Sequence, residues 1–136
     1  MYTLKMFLEE KLNTQYKERI EKLLEITNKV IEDTDFSYLY SKEDRLLSIG
    51  FDVEENKMTE TYYDLLATEA RQASLVAIAK KDIPSKHWNN LSRTLTTLGE
   101  YKGLISWSGT AFEYLMPNIN IRKYKGSLLD ESYKFM

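Results

Sequence analysis

Residues 65–79 read LLATEARQASLVAIA, an almost uniformly apolar run in which Glu69 is the one acid. The apolar residues recur at helical spacing, so the run predicts a helix with Glu69 on an apolar stripe. Glutamate is rarely buried without a partner, because losing its hydration is costly. Glu69 is therefore either paired across the core or lines a cavity where its carboxyl group is used. The same stripe holds Tyr62, Leu65, Leu66, Ala73 and Val76.

The start of this helix is indicated by residues 61–64, which match the capping-box pattern with Thr61 as N-cap. We therefore predict an inner helix over 61–80, buried on several sides within a layered helical assembly. Within it, Asp64 is expected to cap the helix rather than to bind a sugar hydroxyl. Arg71 is expected to form an ion pair with Asp64.

The rest of the chain is predicted from periodicity and turn residues. A leading amphipathic helix covers 13–33, a hairpin region covers 46–60, and a loop with short helices covers 82–136. In that last region we predict a strand at 104–106 and capping boxes at Thr110 and Ser127. The helix that opens at Ser127 runs to Met136, which indicates a piece of a larger protein.

Composition excludes several classes of function. The chain has 136 residues, a net charge of -2 and no long basic run, so nucleic acid is not an expected partner. Cysteine is absent and His87 is the single histidine. Disulfides, thiolate chemistry and His-rich metal sites are thereby excluded, and we expect no cofactor. Residues 1–10 lack a signal-peptide pattern and no apolar run reaches about 20 residues, so a cytoplasmic location is expected.

Three segments resemble one family: LSIGF at 47–51, YYDLLATEAR at 62–71 and GLISWSGTAFEYLMP at 103–117. They resemble the glycoamylase-like domain in the middle of cyclic β-1,2-glucan synthases. The similarity runs from about Phe36 to the C-terminus. Further matches are His87-Trp88, residues 91–96 and residues 128–133.

This resemblance implies a glycoside-hydrolase-like domain with an (α/α)6 barrel that acts on β-1,2-glucan. In the family the domain closes the glucan ring by transglycosylation, relatives that stand alone hydrolyse β-1,2-glucan, and other domains associate the enzyme with the inner membrane. A closed barrel of twelve helices needs on the order of 300–400 residues. We therefore predict a mainly α fold over residues 1–136: a single partial (α/α)6-barrel-like assembly with one small β-hairpin and partly exposed apolar helix faces.

The resemblance also implies the site residues. Glu69 matches a catalytic carboxylate, and the candidate sugar contacts are Tyr62, Tyr63, Asp64, Trp107 and Glu113. Glycosyl transfer needs a second carboxylic acid, which in the family lies in a Ser-Glu-Ser segment beyond the position of Met136. The isolated chain is therefore expected to be inactive.

Structural roles compete with several of these assignments, and other functions compete with catalysis. Glu113 could be the capping partner of Thr110. For Trp107, core packing is favoured over stacking on a glucose ring, and His87 and Trp88 are expected to pack rather than to bind. A carbohydrate-binding remnant is one alternative function. An interaction module is another, in which exposed apolar helix faces pair with a second copy or with the remainder of the parent enzyme.

Overall fold

The computed structural model describes Leu4 and residues 16–135, which form a mixed α/β structure with three small sheets. Of the described residues, 45% are helical and 17% lie in strands. The prediction of a mainly α, barrel-like assembly with a single hairpin is therefore wrong. The helices are α1 (Lys17–Asp33), α2 (Arg71–Lys80), α3 (Lys86–Asn90), α4 (Ala111–Leu115) and α5 (Leu128–Phe135), with 3₁₀ turns at Phe36–Leu39 and Met116–Ile119. The strands are β1 (Tyr40–Ser41), β2 (Leu46–Ser48), β3 (Phe51–Asp52), β4 (Lys57–Met58), β5 (Tyr62–Tyr63), β6 (Leu95–Leu98) and β7 (Tyr101–Leu104).

The chain divides into two compact units, Met1–Asp35 and Phe36–Met136. The first unit contains α1, which confirms most of the predicted leading helix. Residues 5–15, including the predicted helix start at 13, lie outside the described residues. The same holds for nine of residues 1–10, in which no signal-peptide pattern is found. On α1, Leu23, Ile26 and Val30 follow each other at helical spacing and are at least half exposed.

The predicted hairpin region 46–60 belongs to two different sheets. Strand β2 is the centre of an antiparallel sheet in which Leu47 pairs with Tyr40 on one side and Tyr63 on the other. Strands β3 and β4 form a separate hairpin. The Ser48 hydroxyl links the two, because it donates to the carbonyl oxygens of Gly50 and Thr59 at 2.8 and 2.9 Å.

The predicted inner helix over 61–80 is wrong in its first half. The helix begins at Arg71, whereas Tyr62–Tyr63 is strand β5. Between them the chain pairs with a distant segment: Ser92 N–H donates to the Asp64 carbonyl at 2.6 Å, and Leu66 N–H donates to the Ser92 carbonyl at 3.0 Å. These bonds hold residues 64–66 extended, so tertiary pairing overrides the local helix preference.

The C-terminal third contains a hairpin and the helix that packs on it. Strands β6 and β7 pair from Leu95 with Leu104 to Leu98 with Tyr101, so the strand predicted at 104–106 ends at Leu104 and starts earlier. From α5, Ser132 Oγ accepts the Leu104 N–H at 2.9 Å. The buried apolar residues beneath this hairpin are Leu66, Ala67, Leu91, Leu104 and Tyr114.

The start of α5 follows the predicted capping pattern, except that the Asp130 carboxylate bonds the N–H one residue before the N-cap. Ser127 Oγ accepts the Asp130 N–H at 3.1 Å, as an N-cap does. The Asp130 carboxylate accepts from the Gly126 N–H at 2.8 Å, one residue before the N-cap. Asp130 also pairs with Lys123 at 2.9 Å. The Gly126 and Lys123 contacts lower the pKa of Asp130.

Strand β7 packs closely against α5 at Gly103. A Cβ atom at this position would lie 2.6 Å from Phe135 Cγ and 2.7 Å from Cδ1. We expect Gly103→Ala to lower the free energy of unfolding by about 1–3 kcal/mol, because the helix must shift to relieve the overlap. Urea denaturation with Gly50→Ala as matched control measures this, since a Cβ there would meet Thr59 at an ordinary 3.7 Å. Equal losses in the two variants would contradict the close packing.

Candidate functional site

Glu113 forms a capping box at the start of α4, which confirms the structural alternative given for this residue. Its side chain is 6% exposed. The carboxylate accepts hydrogen bonds from the hydroxyls of Ser106 at 3.0 Å and Ser108 at 2.8 Å. It also accepts from the N–H groups of Ser108 at 3.1 Å and Thr110 at 3.0 Å. One carboxylate therefore fixes the whole loop that precedes the helix.

These hydrogen bonds decide the charge of Glu113. Burial alone would raise its pKa, but the bonds from Ser108, Thr110 and Ser106 outweigh burial and lower the pKa from 4.5 to about 2. The side chain is therefore ionised at neutral pH. A carboxylate in this state stabilises the loop electrostatically and has no proton to donate.

The loop over residues 106–110 presents Trp107 to solvent. The Trp107 side chain is 58% exposed, so the expectation of core packing for this residue is wrong. Gly109 donates its N–H to Ser106 Oγ at 2.9 Å and takes a positive φ of 69°, a conformation that glycine adopts without strain. Trp107 thus stands on a loop whose backbone is held by hydrogen bonds from both ends.

Glu69 lies in the turn directly before α2 and is half-buried. It does not lie on a helical stripe, because residues 66–68 are bends and residues 69–70 are a turn. Its Oε2 accepts from the Thr68 hydroxyl at 3.3 Å, and no ion pair joins it to a basic group among residues 16–135. The carboxylate is thus near the surface of the fold.

Arg71 connects this turn to α4. Its side chain is 1% exposed, and it donates to the carbonyl oxygens of Thr68 and Glu113, both at 2.8 Å, and of Tyr114 at 2.6 Å. Burial lowers the pKa of Arg71, and the neighbouring Tyr133 and Glu69 partly offset that effect. The predicted ion pair between Arg71 and Asp64 is therefore wrong. The role of Arg71 is missed by sequence reasoning, since main-chain acceptors leave no signal in the sequence.

The remaining predicted sugar contacts lie on β5 and just after it. Tyr62 and Tyr63 are half-buried, and Asp64 is exposed. The Tyr62 hydroxyl bonds to Asp44 in the turn between β1 and β2, which raises the pKa of Tyr62. Asp64 does not cap a helix, because residues 64–66 pair with Ser92. The structure thus brings Glu69, Glu113 and Trp107 into neighbouring segments. Tyr62, Tyr63 and Asp64 instead contact the β1–β2 turn, β2 and Ser92.

His87 is a packed core residue, as the sequence predicts. It is fully buried, with Nδ1 3.1 Å from the Arg45 carbonyl oxygen and Nε2 2.9 Å from Ser74 Oγ. Burial lowers the pKa of His87, so the ring is neutral at physiological pH and joins the β1–β2 turn to α2.

Residues 16–135 hold no cluster of three or more His, Asp or Glu arranged for a metal ion. Within the same range, every helix is too short or too polar to pass through a bilayer.

Comparison with known proteins finds a long relative. The chain is 44% identical over 116 residues, 85% of its length, to cyclic beta-(1,2)-glucan synthase NdvB of Rhizobium meliloti (strain 1021). The chain spans 4% of that enzyme's length, and no protein-family model matches it. The chain is therefore related to this glucan synthase. Its assignment to the glycoamylase-like domain stays a prediction.

Proposed function

We propose that this chain is a segment of the glycoamylase-like domain of a cyclic β-1,2-glucan synthase. The parent domain would act on β-1,2-glucan by transglycosylation or hydrolysis. The name of the 44% identical relative supports the substrate. The main support for a sugar-binding site is the structure of the loop 106–110, in which the buried, ionised Glu113 fixes the loop that exposes Trp107.

Trp107 would stack its indole on a glucose ring. A large aromatic side chain offers apolar area with little loss of rotamer freedom, and a loop that is already fixed lowers the ordering cost of binding. Glu113 would act as a positioning residue, since its oxygens are occupied by the loop that it anchors. A direct contact of Glu113 with sugar stays a prediction, as do contacts of Tyr62, Tyr63 and Asp64.

Glu69 would supply the nucleophile or base of the parent domain. Its carboxylate is half-buried and free of a basic ion-pair partner among residues 16–135. Arg71 holds the adjacent turn against α4, which lies directly after the Trp107 loop. Glycosidic cleavage also needs a carboxylic acid that protonates the leaving oxygen. Glu113 cannot take that role because it is ionised, so the 136-residue chain is proposed to bind glucan without cleaving it.

Tryptophan fluorescence tests the binding half of this proposal. The variant Trp88→Phe leaves Trp107 as the remaining tryptophan, and we expect a saturable emission change on titration with β-1,2-gluco-oligosaccharides at about millimolar concentration. The reverse variant, Trp107→Phe, is the matched control and should show no saturable change. No response in the Trp88→Phe protein would refute binding at this loop.

The same protein tests the catalytic half. We expect no reducing sugar to be released from linear β-1,2-glucan, with or without Glu69→Gln. Release that disappears in Glu69→Gln would overturn the proposed inactivity while supporting Glu69 as a catalytic residue. Binding without release in all variants would favour a carbohydrate-binding remnant, which is the first alternative function.

We further propose a cytoplasmic location, on the grounds that a chain of this length without cysteine suits a reducing compartment. The interaction-module alternative rests on the half-exposed Leu23, Ile26 and Val30 of α1 and stays a prediction.

A further inference from the structure

A cleft of about 430 Å³ opens beside the buried Arg71, within the unit Phe36–Met136. Its volume falls in the range of small-molecule sites, about 300–1,000 Å³. Leu66, Leu75 and Trp88 give it an apolar wall. Glu69, Trp107 and Glu113 do not line it, so the cleft is separate from the site proposed for glucan.

The charged side chains that line this cleft are all basic. Arg71, Arg93, Arg122 and Lys123 line it, and its lining includes no aspartate or glutamate. The whole chain carries a net charge of -2, so the cleft concentrates positive charge in an otherwise slightly acidic protein. Such a concave surface raises the local concentration of anions.

Most of these cations lack an acidic partner. Of these four cations, only Lys123 forms an ion pair within residues 16–135, with Asp130 at 2.9 Å. Arg93 donates to the carbonyl oxygens of Leu91 at 2.6 Å and Trp88 at 2.8 Å, which are neutral acceptors. Arg122 lies over the Tyr124 ring, 5.7 Å from its centroid. Arg71, Arg93 and Arg122 therefore form no ion pair with a carboxylate in this part of the chain, and the nearest acidic influence is Glu69, which only partly offsets the effect of burial on Arg71.

Arg71 adds a second, independent observation. Of the buried side-chain nitrogen and oxygen atoms in residues 16–135, its Nε is the one without a hydrogen-bond partner. A buried charge without an ion-pair partner is costly, and burial lowers the pKa of Arg71 more than Tyr133 and Glu69 raise it. An anion in the cleft would offset that cost through charge attraction.

We infer that this cleft binds a small organic anion in which a carboxylate or phosphate is joined to an apolar or ring-shaped body. The anionic group would lie against the guanidinium groups of Arg93 and Arg122 and would be attracted by the buried charge of Arg71. The body would lie on the wall formed by Leu66, Leu75 and Trp88. Arg122 is exposed and would act as an entry contact, whereas Arg71 supplies the fixed positive charge at the base.

Trp88 is a built-in reporter for this cleft. In a Trp107→Phe background it is the remaining tryptophan, so its emission reports on the cleft alone. The probe is phenyl phosphate, which combines a ring with a dianion, and its neutral counterpart is benzyl alcohol. We expect a saturable change with phenyl phosphate at about millimolar concentration, weakening as salt is added, and a weaker response to benzyl alcohol.

The matched variants are Arg122→Gln and Arg19→Gln, each of which removes one exposed arginine charge. We expect Arg122→Gln to weaken phenyl phosphate binding by about two- to fivefold, and Arg122→Glu to weaken it further. Arg19→Gln, on α1, should bind as the parent protein does. Circular dichroism confirms that each variant is folded before titration. Equal affinities for phenyl phosphate and benzyl alcohol would overturn the inference, as would equal affinities in Arg122→Gln and Arg19→Gln or no response to phenyl phosphate.

Discussion

Replacing Arg71 by methionine is expected to lower the free energy of unfolding by about 3–5 kcal/mol. Methionine fills much of the same volume, so the loss isolates the polar contacts. Without the guanidinium group, the carbonyl oxygens of Thr68, Glu113 and Tyr114 each lose a buried hydrogen bond of 2.6–2.8 Å. An unsatisfied buried acceptor costs about 1–3 kcal/mol.

Urea denaturation followed by circular dichroism measures this effect. Arg19→Met, at an exposed position on α1, is the matched control and should change the free energy of unfolding by less than about 0.5 kcal/mol. Arg71→Lys should lose most of the stability that Arg71→Met loses. The planar guanidinium group reaches three carbonyl oxygens at once, whereas a single ammonium group cannot. A loss below about 1 kcal/mol in Arg71→Met would show that these carbonyls find other partners.

Stability should also depend on pH through Glu113. Its pKa in the folded chain is about 2, below the ordinary value of 4.5, so the folded state binds a proton less readily than the unfolded state. The stabilisation is therefore fully present above about pH 5 and is lost as pH falls from 4.5 towards 2. The difference between the two pKa values corresponds to about 3 kcal/mol.

The variant Glu113→Gln tests this linkage. We expect it to lower the free energy of unfolding at pH 7 by about 2–3 kcal/mol, because an amide offers fewer acceptor sites to the Ser106–Thr110 loop. At pH 3 the gap between Glu113→Gln and the parent protein should narrow, whereas the exposed control Glu100→Gln should follow the parent at both pH values. A gap that stays constant between pH 7 and pH 3 would contradict the assigned pKa of Glu113.

Local signals in the sequence predict the helix starts that depend only on local contacts. The capping box at Thr110 and the N-cap at Ser127 are found because each cap side chain and its hydrogen-bond partner lie within four residues. The same pattern at Thr61 misleads. There the backbone of Asp64 and Leu66 forms hydrogen bonds with Ser92, a residue further along the chain. Apolar periodicity cannot reveal such a pairing, and the predicted inner helix loses its first half.

The candidate site divides in the same way. The capping role of Glu113 follows from spacing, whereas the exposure of Trp107 does not follow from its sequence context, which favours core packing. The contacts of Arg71 with Glu113 and Tyr114 join residues 42 and 43 positions apart and use main-chain oxygens. Any residue type at those positions would provide the same acceptor, so the sequence carries no trace of the contact that joins the turn of Glu69 to α4.

The bond between Ser132 and Leu104 has a consequence for solubility. Leu104 lies on β7, which is an edge strand because its sheet has only two strands. The Leu104 N–H is already bonded to the Ser132 hydroxyl on α5. Edge strands with free N–H groups are templates for adding a strand from another molecule. Here the Ser132 side chain on α5 occupies the Leu104 N–H, so that group cannot bond a strand from another molecule. The exposed Lys102 on the same strand adds a charge that disfavours intermolecular β-pairing.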